Sequence, residues 1–330
     1  MHNEPRLERL DGGEPSVSIG LITYNAKDFL ERALDSALAQ SWRALEILVV
    51  DDASTDGTAA LAERLARAHP EVRVISRAAN AGAAACRNTV IAEAEGEFIA
   101  FFDDDDLSDP RRVELQLQRL LEYERRLGDG TPVVCHTARL QHYPDGTMRV
   151  EHTMGERVDR PAPHGVAVAR RILLGEPLRD AYGSCATCSQ MARTETLRRE
   201  GGFDPVFRRS QDTELCIRLA KAGTHFVGIG APLVTQTMTR TSDKGLERER
   251  QYWLTLVDKH RDLFATETEY QSCRSWINIR HDWLSRRKSS FWRGLLGLVA
   301  TRPVFAAMRI WMSLPNLRGN LAFSRFHLGP

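Results

Sequence analysis

Four consecutive aspartates, Asp103-Asp104-Asp105-Asp106, close the apolar run 98–102. Carboxylates this close repel one another and raise each other's pKa unless a cation neutralises them. Hard oxygen donors suit Mg²⁺ or Mn²⁺, and Mg²⁺ is typically held by one or two carboxylates together with substrate phosphates. Alternation along an extended chain sends Asp103 and Asp105 one way and Asp104 and Asp106 the other, so one or two of the four are expected to touch metal. The competing reading is a solvated acidic loop, or a cap for the helix that Pro110 opens. A second pair, Asp51-Asp52, ends the apolar run 45–50. It offers acceptors to a base N–H or a ribose hydroxyl, unless with Ser54–Asp56 it only shapes a turn and caps the next helix. Cys185 and Cys188 form a lone CxxC with no second ligand pair, so buried free thiols are expected there rather than zinc. The chain lacks both a Gly-rich dinucleotide turn after its first strand and a GxxxxGK[ST] loop, which counts against a nicotinamide enzyme and a P-loop NTPase. Arginine outnumbers lysine 40 to 5, so no single arginine is strong evidence for phosphate binding.

The elements that position these groups are legible as alternating short apolar runs and helices. Strands are expected at 17–23, 45–50, 72–76 and 98–102. Helices are expected at 27–40, 59–68, 83–93 and 110–126. This βαβ alternation implies a mostly parallel sheet with helices on both faces. Ligands on such sheets bind beyond the carboxyl ends of the strands. Tyr24-Asn25, Asp51-Asp52 and Asp103–Asp106 all fall at such ends, which places one site. Farther on, a strand is expected at 133–136, irregular chain at 141–165, helices at 194–200 and 211–222, and a mostly helical region from about 246.

Six segments, taken in order, resemble the inverting glycosyltransferases of family 2, which have the GT-A fold: VSIGLITYN (17–25), EILVVDDASTDGT (46–58), NAGAAACRN (80–88), GEFIAFFDDDD (96–106), GGFDPVF (201–207) and QDTELCIRLAKAG (211–223). The resemblance covers roughly residues 15–239. It implies that Tyr24 and Asp52 hold the nucleotide base and that Arg87 lies near the donor. It implies further that Asp104 faces the nucleoside and that Asp105 ligates Mn²⁺ or Mg²⁺. The metal motif aligns either as Asp103-x-Asp105 or as the pair Asp104-Asp105. Asp212 falls on the catalytic base, although the family's usual Glu-Asp is Gln211-Asp212 here. Read from residue type alone, Asp212 is an N-cap of the following helix, Glu214 and Arg218 are a helix-surface ion pair at i, i+4, and Asp204 is a turn residue.

The implied activity is transfer of a sugar from a nucleoside-diphosphate sugar, a UDP-sugar by preference, to a glycan or lipid-linked acceptor in surface or exopolysaccharide synthesis. Processive relatives carry QxxRW; the nearest match, Gln271 to Trp276, has one residue too many, which favours transfer of one or a few sugars. The alternative is a catalytically silent GT-A-fold binding protein docked by its tail.

Formal charge is nearly balanced at +1, yet residues 270–330 hold ten basic side chains and one acid. Three units are expected: an N-terminal tail (1–14), the transferase domain (15–240), and a basic, Trp-rich helical extension (241–330). The run 291–313 contains Arg293, Arg302 and Arg309 and is broken by Pro303, which argues against a membrane span. An in-plane membrane anchor within 270–330 and a helical subdomain packed on the enzyme both remain open. Nucleic acid is not an expected partner. With no secretory leader at the N-terminus, a cytoplasmic location is expected, peripheral to the membrane if the anchor reading holds.

Overall fold

The computed structural model describes residues 14–128, 130–238 and 245–314; all but one residue of the expected N-terminal tail lies outside them. The first part alternates as the sequence implies: β1 (Val17–Thr23), α1 (Leu30–Leu38), β2 (Leu45–Asp51), α2 (Thr58–Ala66), β3 (Val72–Ser76), α3 (Ala83–Glu93) and β4 (Phe98–Asp103). These strands pair in parallel in the order β3-β2-β1-β4. Both faces are covered, which is why the strands read as continuous apolar runs. Ile19, Leu21, Val49, Ala100 and Phe102 pack in the core formed with α1, α2 and α4 (Arg112–Leu127). Their neighbours Ile22, Leu48, Val50, Ile99 and Phe101 pack in the core on the other face, with α3, α5 (Gly165–Leu174) and α7 (Gln211–Lys221). Full burial of one such side chain is worth about 1.5–3 kcal/mol. Gly20 lets α3 approach β1 closely, since a Cβ there would lie 2.4 Å from Val90 Cγ1.

Beyond β4 the sheet becomes mixed. It contains β5 (Leu107–Ser108), β6 (Val133–His142), β7 (Met148–Glu151), β8 (Gln190–Arg193) and β9 (His225–Thr237), in the order β4-β8-β6-β9-β5 with β7 on the side of β6. β8 runs antiparallel to β4 and β6, whereas β6 and β9 are parallel. The strand expected at 133–136 continues to His142, and the stretch expected to be irregular contains β7. The glycines and proline of HFVGIGAPLVTQT hide β9 from a periodicity reading. They coincide with the register shifts beside Ala138 that mark a bulge in the β6–β9 pair.

The expected C-terminal helices are α8 (Leu246–Lys259), α9 (Glu267–Leu284), α10 (Lys288–Thr301) and α11 (Pro303–Ser313). Leu256, Val257 and Cys273 join the same core as α5 and α7, so α8 and α9 are packed onto the sheet unit. α10 and α11 form a smaller cluster around Trp276, Ile279, Leu298 and Ala306. Pro303 splits the apolar run as expected, and no described helix is long and apolar enough to cross a membrane. Arg302 is exposed at the break, whereas the Arg309 guanidinium lies 5.3 Å from the Trp276 ring centre. Burial lowers the Arg309 pKa to about 10.

Candidate active site

The register of the parallel strands brings the polar clusters together. Thr23 pairs with Asp51 and Ile22 with Asp103, so Tyr24, Asp52 and Asp104 leave the sheet side by side. They line one cleft of about 640 Å³, together with Arg87, Asp103, Asp105 and Asp212. Every site residue expected from the sequence therefore meets the same cavity.

Tyr24 is half exposed, and its backbone N–H donates to Asp104 Oδ2 at 3.1 Å. Its loop is stitched to the loop after β2: Asn25 Oδ1 accepts from Thr55 N, and Thr58 Oγ1 accepts from Ala26 N. The Ser54–Asp56 cluster thus joins two loops, while Gly57, without a side-chain cap, is the N-cap of α2. Asp51 is buried and accepts from Ser54 N at 3.0 Å. Asp52 receives the N–H groups of Ala81 (3.0 Å) and Gly82 (2.7 Å). Arg77 lies 3.3 Å from the same carboxylate. Asp52 therefore shapes the turn into α3 as well as facing the cleft. Gly82 adopts φ 89° there, the left-handed region that a side chain disfavours.

The acidic run does not alternate. β4 ends at Asp103, the next two residues turn, and Asp106 N hydrogen-bonds back to Asp103 O. Asp103, Asp104 and Asp105 consequently all face the cleft. Asp106 is buried beneath, where it accepts from Thr237 N at 3.1 Å. Arg87 donates to Asp103 Oδ1 at 2.8 Å and lies 5.6 Å from the Phe203 ring centre. Burial, then the charge of Asp105, pushes the Asp104 pKa up to about 7. Asp106 is raised well above its ordinary value by burial, then by Asp103 and Asp105. Its Oδ2 is buried without a hydrogen-bond partner among the described residues. Such crowded carboxylates fit a divalent cation.

Ligand atoms of Asp103, Asp106 and Cys188 lie within 4.8 Å of one another. Burial first, then Asp106, raises the Cys188 pKa well above its ordinary value. Cys188 is a buried free thiol, as the buried-thiol reading expects, and a hard cation prefers the carboxylate oxygens.

The cleft lining also includes Asp212, in the first turn of α7, whose N-cap is Ser210. Asp212 is thus not the N-cap, although its Oδ1 accepts from Thr213 N at 2.7 Å. Asn88 exchanges 2.7 Å hydrogen bonds with the backbone N–H and carbonyl of Phe203. Asp204 is the expected turn residue, accepting from Val206 N at 2.9 Å. Glu214 departs from its expectation. It is fully buried rather than on the surface, and it pairs with Lys259 of α8 at 2.6 Å as well as with Arg218 at 2.8 Å.

The sequence reading missed Arg139, Arg208, Arg209 and Gln236 in the cleft lining. Arg139 belongs to the part of β6 that the strand expectation left out, and it donates to Gln236 Oε1 and Ser184 Oγ. Arg208-Arg209 stand just before α7, a basic pair masked by the chain's general arginine bias. The QxxRW-like segment lies elsewhere, in α9, where Arg274 pairs with Asp258 and Trp276 is buried.

The carboxylate cluster predicts a pH-dependent response to metal. A proton held by Asp104 up to about pH 7 is lost by the unfolded chain near its ordinary pKa of 3.8. The metal-free fold therefore binds more protons than the unfolded chain in that window, and this carboxyl costs stability as pH rises through it. Mn²⁺ competes with the proton, so it should raise the melting temperature more at about pH 8 than at about pH 5.5. At a hundredfold excess over Kd the gain is about 2.7 kcal/mol. Equal shifts at the two pH values would contradict the prediction.

The model of Glycosyl transferase family 2 matches residues 18–190, a span holding β1–β4 and the acidic cluster. TuaG of Bacillus subtilis, a candidate teichuronic acid biosynthesis glycosyltransferase, is 34% identical over 129 residues, 36% of this chain and 51% of TuaG. Chondroitin synthase of Pasteurella multocida is 34% identical over 134 residues, 41% of this chain and 13% of the synthase. The matches thus span about half of TuaG and a small part of the synthase. Among solved structures, S. aureus TarS 1–349 in complex with UDP-GlcNAc superposes with TM-score 0.60 at 16% identity, covering 94% of this chain and 90% of that one. Mannosyltransferase PcManGT from Pyrobaculum calidifontis, in complex with GDP-Man and Mn²⁺, gives 0.58 at 18% identity, covering 96% and 85%. The fold is GT-A, and with the family match over more than half its length the chain belongs to glycosyl transferase family 2.

Proposed function

We propose that the protein transfers a sugar, with inversion at the anomeric carbon, from a nucleoside-diphosphate sugar to a hydroxyl of a glycan or lipid-linked acceptor. The observation that carries this reading is that Asp212 lines the same cleft as Asp103, Asp104 and Asp105. Tyr24 and Asp52 flank the nucleoside, and Arg87 anchors Asp103 beside the diphosphate. Asp105 would hold the cation together with Asp103 or Asp104, which line the same cleft, whereas Asp106 is buried beneath. A divalent cation, when bound, supplies Lewis-acid stabilisation of charge on the departing diphosphate. Asp212 removes the acceptor hydroxyl's proton as that oxygen attacks the sugar. A single displacement inverts the carbon and needs no enzyme nucleophile.

UDP is the donor nucleotide this reading favours, and synthesis of a surface or secreted polysaccharide is its context. The QxxRW-like segment lies outside the cleft lining, which supports transfer of one or a few sugars over processive synthesis. A cytoplasmic location belongs to the same reading; all six cysteines are free thiols, as in a reducing compartment.

The test is donor hydrolysis and transfer with Mn²⁺ across UDP-, dTDP- and GDP-sugars. Turnover should favour a uridine donor, require the cation, and fall about a hundredfold in Asp105→Ala. Full activity in chelator, or an unimpaired Asp105→Ala enzyme, would overturn the mechanism.

A further inference from the structure

We propose that α10 and α11 dock the protein on an anionic lipid surface, lying in the plane of the headgroups. α10 has two apolar stripes. One, Phe291, Leu295 and Leu298, packs in the cluster with Trp276 and Ile279. The other, Trp292, Leu296 and Val299 at i, i+4 and i+7, is exposed. On α11, Val304 is 83% and Trp311 71% exposed at positions seven apart, with the exposed Ala307 between them. A helix that is apolar on nearly all sides is ordinarily buried in protein or lipid. Among the described residues nothing covers either stripe.

The charges around these stripes choose the occupant. Arg286, Arg287, Lys288, Arg293 and Arg302 are all exposed, and none pairs with a carboxylate among the described residues. Elsewhere in the chain arginines find such partners, as Arg193 does with Glu124 and Arg170 with Glu269. No acidic residue occurs between Trp283 and Leu314. Tryptophans and leucines set among unpaired cations suit the interface of an anionic bilayer, with the rings at headgroup level and the guanidinium groups on phosphate. Among the described residues no helix is long and apolar enough to cross a membrane. The mostly buried Arg309 is excluded from the lipid-facing set, because it sits against Trp276.

The inference does not depend on the catalytic reading. The test is co-sedimentation of the full chain with phosphatidylcholine vesicles with and without phosphatidylglycerol. Binding should require phosphatidylglycerol and weaken with salt. It should fall at least tenfold, to order of magnitude, in Trp292→Glu/Trp311→Glu and about fivefold for each of Arg286→Gln, Arg287→Gln and Arg293→Gln. Melting temperature and donor hydrolysis in solution should remain as in the parent, which separates failure of docking from failure of the enzyme. If the tryptophan variant does not fold, the arginine variants carry the test. The proposal is overturned if phosphatidylglycerol vesicles fail to bind the parent, or if the variants bind as the parent does. It is equally overturned if the stripe mediates only self-association, seen as a concentration-dependent dimer without lipid binding.

Discussion

Asp212→Asn should lower kcat for transfer by about 10²–10⁴-fold while leaving donor affinity and melting temperature nearly unchanged. Asparagine keeps the size of the side chain and an Oδ1 that can accept from Thr213 N, the 2.7 Å contact at the start of α7. It removes the capacity to accept the hydroxyl proton as the new bond forms. Donor contacts proposed for Tyr24, Asp52 and the acidic run lie on other elements, so a structural role for Asp212 alone would not produce this separation. Steady-state transfer kinetics, donor titration by calorimetry and thermal melting of the same preparation check all three parts. A variant with parental kcat would remove Asp212 as the base. One that lost donor affinity and stability in equal measure would make it only a helix-start residue.

Asp212 also marks the limit of what could be read beforehand. The N-terminal half was legible because its parallel strands are buried on both faces and end in polar clusters, so the apolar runs themselves point to Tyr24, Asp52 and Asp104. Beyond Asp103 the local rule fails, since a turn replaces the extended chain and brings Asp103 and Asp106 together. β9 was hidden by Gly228, Gly230 and Pro232, residues that ordinarily end a strand but here accompany a bulge beside β6. Arg139 was missed with the extension of β6. Glu214 was misread for a different reason: spacing at i, i+4 identifies a partner on the same helix but says nothing of a second helix laid across it.

That second helix makes Glu214 the site of the largest expected stability effect. Its carboxylate is fully buried between Arg218 on α7 and Lys259 on α8, with the His260 ring 3.7 Å away. Burial alone would raise its pKa, but His260, Arg218 and Lys259 outweigh burial and hold the carboxyl well below the ordinary carboxylate range. The unfolded carboxyl titrates near 4.5. Stability from this group is therefore present above that pH and lost only as pH falls towards the depressed folded value. Glu214→Ala leaves two cations facing a buried gap, a class of change that costs about 3–5 kcal/mol. The lower end applies because Lys259 retains Asp204 at 2.6 Å, and Arg218 still donates to the carbonyls of Glu200 and Gly202. About 3 kcal/mol corresponds to a fall of roughly 6–12 °C in melting temperature for a large domain. Denaturation at about pH 7 should show this loss, and the gap between variant and parent should narrow under acid as the parent carboxyl protonates. An equal loss at every pH would assign the effect to packing alone. A loss below about 1 kcal/mol would make the pair equivalent to an exposed one.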